Sequence, residues 1–167
     1  ESFKHNLYKV INDAERAGVE KFVLLCASLD DLDPIKKIQN NAPNKFFISA
    51  GIHPHHATET VEINYDQLLR QLQSITPHAI GETGLDYFRN ISPPDIQKES
   101  FRMHIEIAKE LNLPLYLHQR DAHNDFIRII RENRKNFPKF VVHCFTGTQK
   151  KLDEYLDLGA YIGLTGM

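Results

Sequence analysis

The sequence predicts an α/β protein of repeated strand–helix units around a parallel sheet. Six short apolar runs are continuous rather than alternating, the pattern of strands buried on both faces. Stretches with helical periodicity fill the intervals between them. The runs start at residues 21, 45, 78, 113, 139 and 160, so successive starts lie 24, 33, 35, 26 and 21 residues apart. A βαβ unit takes roughly 30 residues, and this spacing suits it.

The elements follow in order. Phe3, Leu7, Val10, Ile11 and Ala14 keep a 3.6-residue period, and Gly18 is a suitable stop for that helix. The first strand is KFVLLCA (21–27), followed by a weaker helix over 34–41. The second strand, KFFISAGI (45–52), precedes a helix with Tyr65, Leu68, Leu69 and Leu72 on its apolar stripe. HAIGE (78–82) is the third strand. Ser92 and Pro93 then read as cap and first-turn residue of a helix striped by Phe101, Ile105, Ala108 and Leu111. LPLYLH (113–118) and KFVVHC (139–144) flank a helix anchored by Phe126, Ile127, Ile129 and Ile130. Leu152, Tyr155, Leu156 and Leu158 form the last helix, closed by Gly159, before AYIGL (160–164).

Two closures of such a sheet compete, an open doubly wound sheet and an eight-stranded barrel. The doubly wound form would carry a glycine-rich phosphate loop after an early strand, but Ala-Ser-Leu-Asp-Asp follows Cys26. A (β/α)8 TIM-type barrel needs about 250 residues. The chain has 167 and a leading helix with no strand before it. It therefore reads as a barrel missing its first and last strands, a single domain over 1–167 that is incomplete at both ends. The missing initiator Met and the apolar ending GAYIGLTGM also read as cut ends.

Composition narrows the function classes. With 41% apolar and 25% charged residues, the chain is neither disordered nor fibrous. A net charge of −2 excludes a broad basic nucleic-acid footprint, so any such contact is local. Cys26 and Cys144 sit far apart in apolar runs and read as reduced core thiols of a cytoplasmic protein. No run of 18 apolar residues suggests a membrane span, and ESFKHNL has no signal-peptide anatomy.

The chemistry gathers at strand ends. His53-Pro54-His55-His56 follows the second strand, Glu82 closes the third, His118 the fourth and His143 the fifth. In a parallel barrel the C-terminal strand ends converge on one mouth, where the active site lies. Imidazole and carboxylate are ligands for Zn²⁺, Mn²⁺ and related ions. Glu82, His118 and His143 are thus candidate metal ligands, expected within roughly 6 Å of one another because metal–ligand bonds are about 2.0–2.2 Å. His53 and His55 read either as a rigid turn with solvated rings or as catalytic groups contacting phosphate or leaving group. Arg89 and Arg120 suit bidentate phosphate binding, or simple solvation. Asp86 and Asp121 suit the orienting of a ligand histidine. His5, His56, His78, His104 and His123 lack that placement and read as structural or solvated.

At these residues the sequence resembles the TatD-type metal-dependent deoxyribonucleases, a family of amidohydrolase-like barrels. The matching stretches are GIHPHHA (51–57), GETGLDYFR (81–89), QKESFRMHIEIAKELNLPLYLHQRDA (97–122) and VVHCFTGT (141–148). AERAGVEKFV (14–23) and LGAYIGLTG (158–166) also fit. The resemblance implies a (β/α)8 barrel, two divalent metal ions (Mg²⁺, Mn²⁺ or Zn²⁺) and hydrolysis of DNA phosphodiesters from an end through a metal-bound hydroxide. It maps the metal-bridging glutamate onto Glu82 and two further ligands onto His118 and His143. The family's remaining ligands, an HxH and an aspartate, have no counterpart here. The resemblance therefore implies at most a half-site in these residues, with DNA ends or single-stranded DNA as substrate.

Two alternatives stand beside this reading. One is an inactive or truncated barrel that binds one metal or a partner. The other is the same barrel acting on a non-nucleic ester, lactone or amide. Loss of the terminal strands would also leave two apolar edges, around 22–26 and 161–164, and expose Leu7, Val10 and Ile11. Such edges invite self-association.

Overall fold

A computed structural model describes residues 6–165; Phe3 and His5 lie outside the described residues. The six expected strands all form: β1 (Phe22–Leu25), β2 (Phe46–Ala50), β3 (Ala79–Asp86), β4 (Leu115–Arg120), β5 (Phe140–Val142) and β6 (Tyr161–Ile162). They make one sheet in the order β1-β2-β3-β4-β5-β6, with every neighbouring pair parallel. The sheet curls into a half-barrel, with β1 and β6 as its two edges. Sequential order with parallel pairing is what repeated right-handed β–α connections generate.

The connecting helices are α1 (Leu7–Arg16), α2 (Leu32–Asn41), the short α3 (Glu59–Glu62), α4 (Tyr65–Ser74), α5 (Pro94–Leu111), α6 (His123–Asn133) and α7 (Gln149–Asp157). The apolar stripes of α4, α5 and α6 face the sheet. Leu68 and Leu72 of α4, Phe101, Ile105 and Ala108 of α5, and Phe126, Ile129 and Ile130 of α6 are buried against Ile48, Ile80, Leu85, Leu117 and Val142. Phe101 and Phe126 stack at 5.3 Å between centroids, which ties α5 to α6. Burial of each such side chain contributes about 1.5–3 kcal/mol. None of these helices is long and apolar enough to cross a membrane.

Three sequence readings are corrected. Strand β3 continues past Glu82 to Asp86, because Thr83, Leu85 and Asp86 are buried in the sheet as fully as Ile80. Gly81 and Gly84 permit this: a Cβ on them would lie 2.1 Å from the Tyr116 carbonyl oxygen and 2.0 Å from that of His118. Ser92 does not cap α5. Pro93 holds the cap position, and the Ser92 hydroxyl donates to the His55 carbonyl. Cys144 is exposed rather than in the core, since β5 ends at Val142 and the chain turns outward through a positive φ at Cys144. Cys26 is buried as expected, and burial with the Asp31 charge pushes its thiol up to about 12.

The two edges lie where the reading put them. Helix α1 has no buried residue, and Val10 on its apolar stripe is exposed.

Candidate metal centre

The ends of β2 to β5 deliver the polar groups to one mouth. In the β3–β4 ladder Gly84 lies opposite His118, and Leu117 lies opposite Val142 of β5. Glu82 and His118 therefore reach the same rim. The His143 N–H donates to the Leu117 carbonyl and brings its ring beside that of His118. His53 follows β2, where its N–H donates to the Ala27 carbonyl beyond β1. It then caps the turn Pro54–His56.

These residues surround one carboxylate oxygen. Glu82 Oε1 lies 3.1 Å from His118 Nδ1 and 3.5 Å from His53 Nε2, and it is in direct contact with His143 Nε2. The His118 Nδ1 and His143 Nε2 atoms are 3.4 Å apart. Convergence within 6 Å is met. Burial works to raise the Glu82 pKa, but hydrogen bonds from His118, His143 and His53 outweigh it and hold the carboxyl well below the usual range.

Asp86, fully buried, stands behind this group. Its Oδ2 lies 2.8 Å from His55 Nε2 and 3.1 Å from His118 Nε2, and its Oδ1 accepts from the Arg89 N–H. Burial again raises and the hydrogen bonds lower its pKa, with a net downward shift. An ionised Asp86 can only accept, so His55 and His118 each donate to it from Nε2. That arrangement turns His118 Nδ1 toward Glu82 Oε1, beside His143 Nε2. A divalent cation fits this donor set: one carboxylate oxygen, His118 Nδ1 and His143 Nε2.

His53 stands in the same cluster but differs in its proton. His53, Glu82 and His118 each offer a ligand atom, and those atoms lie within 4.8 Å of one another. Yet His53 Nδ1 accepts a hydrogen bond from the His55 backbone N–H at 3.1 Å. Burial pushes the His53 pKa down, so the ring is neutral at pH 7. Its proton therefore sits on Nε2, which faces Glu82 as a donor.

The remaining sequence candidates divide. A cavity of about 370 Å³ opens over the cluster, and His53, His55, Asp86, Arg89, His118 and Arg120 all line it. Both arginines thus share the mouth with the histidines. Asp121 does not join them. Strand β4 ends at Arg120, the backbone takes a positive φ at Asp121, and the exposed carboxylate contacts no histidine. The other described histidines serve the fold: His104 Nε2 accepts from the Ile52 N–H, His78 Nδ1 from the Ile48 N–H, and His123 bonds Tyr155. Exposed His56 pairs with Glu59.

Gln97 of α5 escaped the sequence reading. It is fully buried, its Oε1 accepts from the Asp86 N–H, and its amide donates to the Asp86 and Ser92 carbonyls. It fixes the backbone that carries the Asp86 carboxylate. Its signal was a polar residue one turn before Phe101 on an otherwise apolar stripe.

The family model of the TatD related DNases matches residues 1–167. A Musicola paradisiaca protein named 3′-5′ ssDNA/RNA exonuclease TatD is 36% identical over 167 residues, covering 98% of this chain and 62% of its own length. A Rahnella protein of the same name is 37% identical, with the same two coverages. Among solved structures, a hydrolase of the TatD family from Entamoeba histolytica superposes with a TM-score of 0.82 at 30% identity, over 93% of this chain and 55% of that one. A TatD homologue from Escherichia coli gives 0.81 at 24% identity, over 96% and 62%, a likeness of fold. The chain spans about 62% of the curated relatives' length. With the match running from end to end, this chain belongs to the family of TatD related DNases.

Proposed function

We propose that the protein is a metal-dependent phosphodiesterase acting on single-stranded nucleic acid from an end, and that this chain carries its central metal-binding half-site. The observation that carries the proposal is the ionised Glu82 carboxylate ringed by His118, His143 and His53, at a mouth shared with Arg89 and Arg120. The family is metal-dependent, and relatives are named for 3′-5′ cleavage of single-stranded DNA and RNA.

In this reading Glu82, His118 and His143 hold a divalent ion. Such an ion polarises a phosphoryl oxygen and lowers the pKa of bound water. The chain's own residues do the rest. Asp86 fixes the His118 tautomer by accepting a hydrogen bond from its Nε2–H, which presents Nδ1 to the site. His53 keeps a proton on Nε2 at the cluster, where it can donate to a phosphate oxygen or the departing alkoxide. His55, held on Asp86 through Nε2, donates its backbone N–H to His53 Nδ1 and so positions that ring. Arg89 and Arg120 supply positive charge to the non-bridging oxygens. A second ion would need donors beyond His53, Glu82, His118 and His143. The unpaired outer edges of β1 and β6 make self-association of this chain part of the proposal.

The test is an assay of the protein, with any flanking segments its gene encodes, on a labelled single-stranded oligonucleotide and on a small aryl ester, with Mg²⁺, Mn²⁺ or Zn²⁺. Mononucleotide release that requires metal and vanishes in His118→Ala is expected. Turnover of the ester alone would overturn the phosphodiester reading. A finding that His118→Ala retains wild-type release would overturn the site.

A further inference from the structure

A second cavity lies beside the histidine mouth, and nothing in the metal chemistry uses it. It holds about 190 Å³ and is lined by Phe88, Gln119, Arg120, Phe145, Lys151 and Tyr155, among others. Drug-sized ligands take pockets of about 300–1,000 Å³, so this one suits a single flat ring system. Its wall is shared: Arg120 lines both this cavity and the histidine mouth, and Phe88 of the first is followed in sequence by Arg89 of the second.

Two features mark its occupant. Phe88 is 59% exposed, and the Arg120 guanidinium lies 4.2 Å from its centroid. An exposed aromatic with an arginine over it forms a stacking platform of the kind that takes nucleobases. Gln119 lines the same cavity, and its buried amide nitrogen has no hydrogen-bond partner in the protein. An unpaired buried donor is costly, and rotation of the amide into the cavity would give it a ligand acceptor such as a base carbonyl.

We propose that this cavity is a subsite for one unpaired nucleobase, next to the phosphate that sits at the histidine mouth. It rests on the phosphodiesterase reading above and adds how a single strand is selected. Phe88 stacks the base, Gln119 donates to its carbonyl, and Arg120 bridges the base site and the phosphate site. A base within a duplex keeps its faces stacked and its pairing edge occupied, so it cannot enter.

The test measures binding of two nuclease-resistant phosphorothioate oligonucleotides, by fluorescence anisotropy with Mg²⁺ present. One is a short thymidine strand, and the other replaces the two nucleotides at each end with abasic residues. The base-bearing strand is expected to bind about tenfold more tightly, the weight of one stacked base. Phe88→Ala should remove that advantage and leave abasic binding unchanged, while Phe88→Trp should retain it. Equal binding of the two strands by the unaltered protein, or equal loss of both in Phe88→Ala, overturns the base subsite and leaves the phosphodiesterase reading standing. Binding of neither strand overturns both.

Discussion

Histidine serves two opposite purposes here, and residue surroundings decide which. His118 and His143 face an anion, whereas His104 is fully buried between the Ile52 N–H and the Ser100 carbonyl. Burial pushes the His104 pKa down to about 4 from 6.5. A depressed histidine stabilises the fold above its unfolded pKa, and that contribution is lost as pH falls through the folded one. Stability should therefore drop between pH 6.5 and 4, by roughly 3 kcal/mol from this group at about 1.4 kcal/mol per unit. Urea denaturation at pH 7.5 and 4 checks this. His104→Gln should be less stable at pH 7.5 and lose about 3 kcal/mol less on acidification. Equal losses would contradict it. Placement at strand ends made Glu82, His118 and His143 legible in the sequence, because β–α alternation sends such residues to one rim. The proton on His53 was not legible, since it depends on a backbone N–H two residues on. Asp121 misled because it directly follows strand residues, and only the positive φ there shows the chain leaving the rim.

At the level of elements, the site depends on how closely β3 approaches β4. A Cβ on Gly84 would meet the His118 carbonyl oxygen at 2.0 Å, at a φ of +139°. The obstacle is backbone, which cannot rotate away. Gly84→Ala should cost about 3 kcal/mol or more, combining overpacking with backbone strain. Gly18→Ala meets nothing within 4 Å at a φ of +94° and should cost only about 1–2 kcal/mol of strain. Thermal or urea unfolding of the two variants compares them; equal costs would contradict the close-approach argument. The six strands were readable because continuous apolar runs mark buried parallel strands. The extension of β3 was hidden, since the buried residues Thr83 and Asp86 are polar, and Asp86 is held there by hydrogen bonds to Gln97, His55 and His118.

For the whole molecule, among the described residues no further strand pairs with the outer sides of β1 and β6, and both carry exposed apolar side chains. Val23 is 54% exposed and Tyr161 57%. Apolar sheet edges template further pairing. Sedimentation of the 167-residue chain should show association that grows with concentration and weakens in Val23→Lys. A monomer of 19.3 kDa across the range would contradict it. That β1 and β6 form the edges was legible, because strand–helix alternation lays sequential strands side by side. The central claim is the metal centre, and calorimetric titration with Zn²⁺ and Mn²⁺ tests it most directly, independent of turnover. One ion per chain is expected, with binding lost in Glu82→Gln and His143→Ala and kept in Asp121→Asn. Unchanged binding in Glu82→Gln, or none in the unaltered protein, would contradict the account.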